Sequence, residues 1–265
     1  MVAQDVLFAF TVCLLAGLST GLGSLLSLWS KRFDKRFLAG ALGFSAGVMV
    51  YVSMIEIVNK ARAALVPAYG IRLGSYLTVI AFFLGIGIIA VIDKLIPSIE
   101  QEHEPDTVTH SPQQQKKLMR LGLFTALALA IHNFPEGLAT FLSALSDPAL
   151  GASIAIAIAI HNIPEGIAVS SPIYYATGNR KKAFWYSFLS GLAEPVGALF
   201  GYYVVLRFLP ADIFGFVFAA VAGIMVYISF DELLPTAEQL GQHDTAMLGL
   251  VSGMFIMAMS LLLFI

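Results

Sequence analysis

Charged residues are scarce in this chain. Asp, Glu, Lys and Arg make up 12% of its 265 residues, and 58% are hydrophobic, whereas a soluble domain carries about 25% charged residues. This composition excludes a soluble globular domain, and the net charge of −2 argues against a nucleic-acid partner. Uncharged runs of roughly 20 residues can cross the ~30 Å hydrocarbon core of a bilayer as helices. The sequence therefore predicts an all-α integral membrane protein.

Cysteine is almost absent too. Cys13 is the single cysteine, so an internal disulfide is excluded and the redox compartment is not readable from the sequence. The N-terminal residues also lack the basic region of a signal peptide, and the first apolar run, 6–30, is longer than the apolar core of such a peptide. We therefore expect this run to be a retained membrane span.

The hydropathy pattern predicts eight membrane-spanning helices in a single transmembrane domain, 1–265. The spans are expected near residues 6–30, 37–58, 73–93, 120–145, 149–175, 183–206, 211–234 and 245–265. A polar stretch at about 95–118 is broken by prolines and is predicted to be a loop, because it is too polar to fold alone. His103 and His110 lie there among acidic residues, which leaves weak metal capture and a solvated linker as open interpretations.

Basic residues are distributed unevenly between the two sides of these spans. Eleven of the 15 Lys and Arg residues fall in the loops after the first, third and fifth spans, and four fall on the opposite side. Cytoplasmic loops carry the excess of basic residues. We therefore predict that both termini are outside and that the polar loop is cytoplasmic, in a protein of the cytoplasmic (inner) membrane.

The chain also repeats itself. Residues 47–56 and 223–232 are identical at six of ten positions, including Met, Tyr, Ser and Glu, and a weaker match links 16–23 with 190–197. The matched spans are five apart, so they cross the bilayer in opposite directions. This pattern predicts an inverted repeat of three helices flanking a central pair, the arrangement that transporters use to build a site at the bilayer midplane.

The central pair carries two nearly identical hexapeptides. His-Asn-Phe-Pro-Glu-Gly occupies 132–137 and His-Asn-Ile-Pro-Glu-Gly occupies 161–166, 29 residues further on. An ionisable group at membrane depth costs about 3 kcal/mol or more, so it marks a functional site by default. Residues four apart lie on one face of a helix. Two antiparallel helices would therefore present His132, Glu136, His161 and Glu165 to a shared centre.

Other residues in the same spans extend this set. Asn133 and Asn162 each follow a hexapeptide histidine and lie about 100° from it round the helix axis. Their side chains offer neutral oxygen ligands. Gly137 and Gly166 are expected to let the fourth and fifth spans approach closely. Glu194, in the sixth span, is a third carboxylate at membrane depth and is expected to face the same centre, with a structural hydrogen bond as the alternative.

Mixed imidazole and carboxylate ligands favour zinc, iron, manganese or cobalt, whereas calcium and magnesium prefer oxygen alone. A lone intramembrane histidine is more often an interhelical hydrogen-bonding group, but duplication of the whole hexapeptide favours a metal site. An intramembrane metal-dependent hydrolase stays as an alternative function, although such an enzyme holds three ligands on one zinc and leaves a position for water. A cation channel is a second alternative. Three further acidic residues near span ends are candidates to line the pathway: Glu56, Asp231 and Glu232.

These motifs resemble a known family. The two hexapeptides, the Gly-Leu-Ala-Glu segment at 191–194, and eight spans with a polar loop after the third are similar to the zinc–iron permease (ZIP) family, above all its bacterial branch. The resemblance covers essentially the whole chain. It implies a transporter rather than an enzyme, with no catalytic cofactor, that imports Zn²⁺ and in some cases Fe²⁺, Mn²⁺, Co²⁺ or Cd²⁺.

The resemblance also implies a binuclear centre among the fourth, fifth and sixth spans. Its first metal site would use His132, Glu136, His161 and Glu165. Its second metal site would use Asn133, Glu136, Asn162, Glu165 and Glu194. Members of the family are associated with homodimers in the lipid bilayer and with a rocking or elevator-like movement of the central helices.

Overall fold

The computed structural model describes residues 3–29, 35–95, 112–208 and 213–262, and within these ranges it contains helices and no strands. Eight helices in the described part of the chain are long and apolar enough to cross a membrane, which confirms the predicted all-α architecture. In chain order they are α1 (Ala3–Trp29), α2 (35–69), α3 (Ile71–Leu95), α4 (Pro112–Ser146), α5 (Pro148–Thr177), α6 (180–208), α7 (213–239) and α8 (His243–Leu262).

Helix α4 begins earlier than the sequence predicts. It starts at Pro112, inside the stretch 95–118 that was expected to be a loop. Proline is favoured in the first turn of a helix because its fixed φ suits the helix and its missing N–H would have no partner there. The polar residues that follow therefore extend the helix beyond its apolar part. His103 and His110 lie outside the described residues.

A tight turn makes α4 and α5 an antiparallel pair. Asp147 caps the N-terminus of α5, since its carboxylate accepts hydrogen bonds from the backbone N–H groups of Ala149 (3.1 Å) and Leu150 (3.2 Å). Such a cap satisfies donors that the first turn leaves unpaired. At the far end of α5, Gly178 adopts a left-handed conformation with φ 64°. The turn at Asp147 brings the two hexapeptides side by side in opposite directions.

The helices form two packing groups. Helices α1, α4, α5 and α6 pack on one another and are called the site bundle here. Helices α2, α3, α7 and α8 form the flanking group, in which α2 packs on α8 and α7 packs on α3. The two groups meet where α2 lies against α5 and α7 lies against α4.

These pairings confirm the inverted repeat. If α1, α2 and α3 correspond to α6, α7 and α8, then the α2–α8 contact is the counterpart of the α7–α3 contact. The backbone supports the same correspondence, because α2 contains a π-helical turn at Ser53–Ile57 and α7 contains one at Ser229–Leu233. Those two turns begin at equivalent serines of the sequence repeat 47–56 and 223–232. A third π-helical turn, Gly201–Val205, lies in α6.

Close backbone contacts at glycine occur within each group. A Cβ added at Gly47 in α2 would collide with the carbonyl oxygen of Leu250 in α8, and one added at Gly223 in α7 would collide with that of Phe82 in α3. Among the described glycines, every such contact between two helices joins members of one group, and none joins the site bundle to the flanking group. Each group is therefore held together more tightly than the two are held to each other.

We predict that Gly47→Leu lowers the thermal stability of the purified protein, whereas Gly87→Leu in α3 leaves it nearly unchanged. Gly47 packs against the backbone of α8, but a Cβ at Gly87 meets no atom within 4 Å. Overpacking of this kind typically costs about 1–3 kcal/mol. The measurement is the midpoint for loss of the monodisperse peak after heating in detergent. Equal midpoints for the two variants would contradict the packing described here.

Candidate metal site

The two hexapeptides face each other across the α4–α5 pair. Nε2 of His161 lies 3.3 Å from Oε1 of Glu136, and both side chains are fully buried. This contact joins the imidazole of one hexapeptide to the carboxylate of the other, as the antiparallel arrangement requires. The helix carrying His132 is described, but the side chain of His132 lies outside the described residues.

Helix α6 adds its carboxylate to the same region. Asn162 in α5 donates one hydrogen bond from Nδ2 to Oε1 of Glu194 and another to the carbonyl oxygen of Ala16, at 3.0 Å. Glu194 is 0% exposed, and the charges of Glu136 and Glu165 act on its carboxyl group. Glu194 therefore lies against α5 inside the site bundle and makes a hydrogen bond there, and its role as a metal ligand stays a prediction.

The asparagine side chains have a defined orientation. Asn133 donates from Nδ2 to the carbonyl oxygen of Ser190 at 3.2 Å, just as Asn162 donates to that of Ala16. A carbonyl oxygen can only accept, so the NH₂ group of each amide must face it. Neither Oδ1 atom accepts a hydrogen bond from a described residue. Both oxygens therefore have capacity for a further donor or a cation.

Helix α2 contributes a residue that the sequence analysis missed. Ser45 donates a hydrogen bond from Oγ to Oε1 of Glu165 at 3.3 Å, and its side chain is fully buried. A single serine in an apolar span carries no signal by itself, since serine is tolerated at membrane depth wherever its hydroxyl finds a partner. Only the contact between α2 and α5 reveals its role.

Burial of the acidic side chains sets the electrostatics of this region. Glu136, Glu165 and Glu194 are each at most 1% exposed. Carboxylates without water are costly unless a compensating charge or strong hydrogen bonds accompany them. A divalent cation or bound protons would provide that compensation.

Among the described side chains, Glu136, His161, Asn162, Glu165 and Glu194 lie in one region of the site bundle without forming a full shell. Among the described side chains, no three His, Cys, Asp or Glu residues form a cluster with metal-binding geometry. The His161–Glu136 contact and the Asn162–Glu194 hydrogen bond are two separate parts of the predicted set. The assignment of seven residues to two metal sites stays a prediction.

The hexapeptide glycines pack differently from the prediction. Gly137 was expected to bring α4 close to α5, but a Cβ there would collide with the carbonyl oxygen of Glu194 in α6. Gly166 likewise lies against the carbonyl oxygen of Thr20 in α1. The reason is helix geometry, since the residue after the inward-facing glutamate is turned about 100° toward the neighbouring helix.

The remaining acidic candidates lie away from this region. Glu56 is part of the π-helical turn of α2, is partly buried, and interacts electrostatically with Lys60 and Asp147. Asp231 and Glu232 are part of the equivalent turn of α7. Their role in lining a pathway stays a prediction.

Comparison with known proteins gives a consistent result. Residues 97–261, more than half of the chain, match the family model described as ZIP Zinc transporter. A protein named Zinc transporter ZupT from Chlorobium chlorochromatii (strain CaD3) is 62% identical over 265 residues, covering 98% of this chain and 99% of that protein. Proteins with the same name from Streptococcus mutans and Nitratidesulfovibrio vulgaris are 59% and 58% identical, covering 99% and 98% of this chain and 100% and 98% of their own lengths.

The chain therefore belongs to the ZIP zinc transporter family. It is a multi-pass membrane transporter and not an enzyme, so the hydrolase alternative is not supported. The family resemblance expected from the hexapeptides is confirmed.

We predict that Ser45→Ala raises the KM for zinc uptake by about tenfold or more. The substitution removes the 3.3 Å hydrogen bond to Glu165, and a hydrogen bond to a charged group typically contributes about 1.5–3 kcal/mol. Ser252→Ala in α8 is the matched control, because that hydroxyl bonds the carbonyl oxygen of Gly249 in its own helix. Uptake into proteoliposomes measures both variants. The same KM for Ser45→Ala and the parent would contradict a supporting role for this bond.

Proposed function

We propose that this protein imports Zn²⁺ across the cytoplasmic membrane through a site between α4, α5 and α6. The observation that carries the proposal is the buried contact between His161 and Glu136, with Glu194 and Glu165 close enough for their charges to interact. Imidazole and carboxylate together favour zinc and its neighbours in the first transition row. The proteins named Zinc transporter ZupT, to which this chain is similar over nearly its full length, support the same cargo.

The ligand set proposed for the cation has seven members in two overlapping groups. One metal site uses His132, Glu136, His161 and Glu165, and the other uses Asn133, Glu136, Asn162, Glu165 and Glu194. Glu136 and Glu165 belong to both, because a carboxylate has two oxygens and can bridge two ions. The Oδ1 atoms of Asn133 and Asn162, which accept no hydrogen bond from a described residue, suit weak, neutral ligands. The same chemistry admits Fe²⁺, Mn²⁺, Co²⁺ and Cd²⁺ as further cargo.

Transport requires that the site open alternately to each side of the membrane. We propose that the site bundle moves against the flanking group as one body. The glycine contacts confined to each group support this, whereas the hydrogen bond from Ser45 to Glu165 joins the two groups and must break when they move. Hydration then draws the ion off on the cytoplasmic side. The protein is proposed to work as a homodimer in the bilayer, as the family resemblance implies.

We predict that Glu136→Gln and Glu136→Ala reduce zinc uptake into proteoliposomes to the level of empty vesicles. Glu136 contacts His161 and belongs to both proposed metal sites, so its loss weakens both. The glutamine variant keeps the side-chain size and separates loss of a ligand from loss of packing. Uptake is followed as initial rate against zinc concentration, together with zinc bound per chain in detergent.

Glu238→Gln is the matched control for this experiment. Glu238 is a carboxylate with 45% side-chain exposure next to His243, near the end of α7 and outside the site bundle, so its neutralisation should leave uptake unchanged. Saturation of the parent's flux at low rates distinguishes a carrier from a channel, which would conduct in proportion to the driving force. Parent-like zinc uptake by a folded Glu136→Gln protein would refute the ligand assignment.

We predict that Ser146→Cys reacts with a membrane-impermeant maleimide on intact cells and that Lys182→Cys does not. Ser146 is exposed at the α4–α5 turn and Lys182 is exposed near the start of α6, on opposite sides of the membrane if both termini are outside. Cys13 is buried and gives little background. After permeabilisation both variants should react. Labelling of Lys182→Cys alone on intact cells would reverse the proposed orientation.

A further inference from the structure

The inverted repeat relates α1 to α6 at the level of single hydrogen bonds. Residue numbers in the two helices differ by 174, so Cys13 corresponds to Ser187. Cys13 donates from Sγ to the carbonyl oxygen of Gly137 at 3.5 Å, and Ser187 donates from Oγ to that of Gly166 at 3.1 Å. The two acceptors are the final glycines of the two hexapeptides. The equivalent side chains therefore make equivalent contacts.

The same offset holds one turn further along each helix. Ala16 corresponds to Ser190, and their carbonyl oxygens accept the amides of Asn162 and Asn133, respectively. Gly17 corresponds to Gly191, and a Cβ on either would lie against the backbone oxygen of the other. The two helices thus cross at this glycine pair, close to the pseudo-two-fold axis.

Three residues further along, the same offset of 174 makes Thr20 the counterpart of Glu194. The carbonyl oxygen of Glu194 packs against Gly137, and that of Thr20 packs against Gly166. The Cβ of Glu194 lies 3.4 Å from the position a Cβ on Gly17 would take, and the Cβ of Thr20 lies 2.8 Å from the corresponding position on Gly191. Both side chains are 0% exposed. Thr20 therefore occupies in α1 the place that the site carboxylate occupies in α6.

The hydroxyl group of Thr20 is also released from its usual local partner. A threonine in a helix normally donates to the carbonyl oxygen four residues earlier, which here is that of Ala16. That oxygen already accepts from Ser19 at 2.6 Å and from Asn162 at 3.0 Å. Oγ1 of Thr20 makes no hydrogen bond with any residue that the structure describes. A buried hydroxyl of this kind has full capacity to bind a ligand.

We propose that Thr20 is a further binding residue of the metal site and that its hydroxyl oxygen is a neutral ligand for the transported divalent cation beside Asn133. The proposal rests on the proposed function of the site. Oγ1 of Thr20 lies 2.8 Å from the Cβ position of Gly191, next to Ser190, whose carbonyl oxygen orients the Asn133 amide. Thr20 and the Asn133 amide therefore contact neighbouring residues of α6, and neither Oγ1 of Thr20 nor Oδ1 of Asn133 has a hydrogen-bond partner among the described residues.

The presence of threonine rather than glutamate at position 20 lowers the negative charge of the proposed metal site. With threonine in α1, the site holds the carboxylates of Glu136, Glu165 and Glu194; a glutamate there would make the site symmetric with four. A hydroxyl binds a divalent cation more weakly than a carboxylate. The neutral member therefore permits release of the ion toward the cytoplasm, where a fourth carboxylate would retain it.

The test compares Thr20→Val, Thr20→Ser and Thr78→Val in proteoliposomes and in detergent. Thr20→Val keeps the shape of the side chain and removes its oxygen, so the KM for uptake and the Kd for Zn²⁺ should each rise about tenfold. Thr20→Ser restores the oxygen and should return both values to within about twofold of the parent. Thr78→Val is the control, since that hydroxyl is buried in α3 and bonds the carbonyl oxygen of Gly74.

Each outcome decides between the two proposals. If Glu136→Gln, measured in the same series, abolishes uptake but Thr20→Val matches Thr78→Val, the ligand role of Thr20 is wrong and the site itself stands. If Thr20→Ser behaves like Thr20→Val, shape rather than the hydroxyl oxygen matters, and the ligand role also fails. If Glu136→Gln transports zinc normally, the proposed metal site is wrong, and the Thr20 proposal, which rests on it, is wrong as well. A rise in KM and Kd for Thr20→Val alone supports the inference.

Discussion

The burial of three carboxylates inside an apolar helix bundle is the constraint on which the remaining structure depends. Glu136, Glu165 and Glu194 have almost no exposure, and such groups destabilise a fold unless each is compensated. Part of the compensation comes from the protein, through Ser45 on Glu165 and Asn162 on Glu194. Neither donor carries a charge, and a bound cation or bound protons would supply the charge compensation that burial of carboxylates requires.

The two-fold relation between the halves of the chain explains how so many polar groups are accommodated. Each asparagine amide binds a backbone carbonyl of the opposite half, Asn133 on Ser190 and Asn162 on Ala16. The symmetry is broken at one pair of equivalent positions, since Glu194 in α6 corresponds to Thr20 in α1. Repetition gives a packed scaffold with matched backbone contacts, and single substitutions within it set the charge of the site.

Much of the fold could be predicted from the sequence, because hydropathy, basic residues and internal repetition are properties of whole segments. The eight spans and the facing hexapeptides are of this kind. The contacts of Ser45 and Gly137 are not, because each depends on which neighbouring helix lies beside a given face. Serine and glycine also carry no charge, so membrane depth imposes little cost on them and the sequence does not indicate which neighbouring helix they contact. Helix α4 begins at Pro112 because proline is favoured in the first turn of a helix, a local preference that hydropathy does not detect.

The distribution of tight contacts bears directly on how the ion could move. Glycines lock α1, α4, α5 and α6 to one another through backbone contacts, and others lock the flanking group. A described link between the groups at the site is the hydrogen bond from Ser45 to Glu165. A hydrogen bond to a charged group contributes about 1.5–3 kcal/mol. Movement of one group against the other would break this bond and exchange the contacts of α2 with α5 and of α7 with α4, while leaving the glycine contacts intact. The proposed ligands on α4, α5 and α6 would therefore travel together.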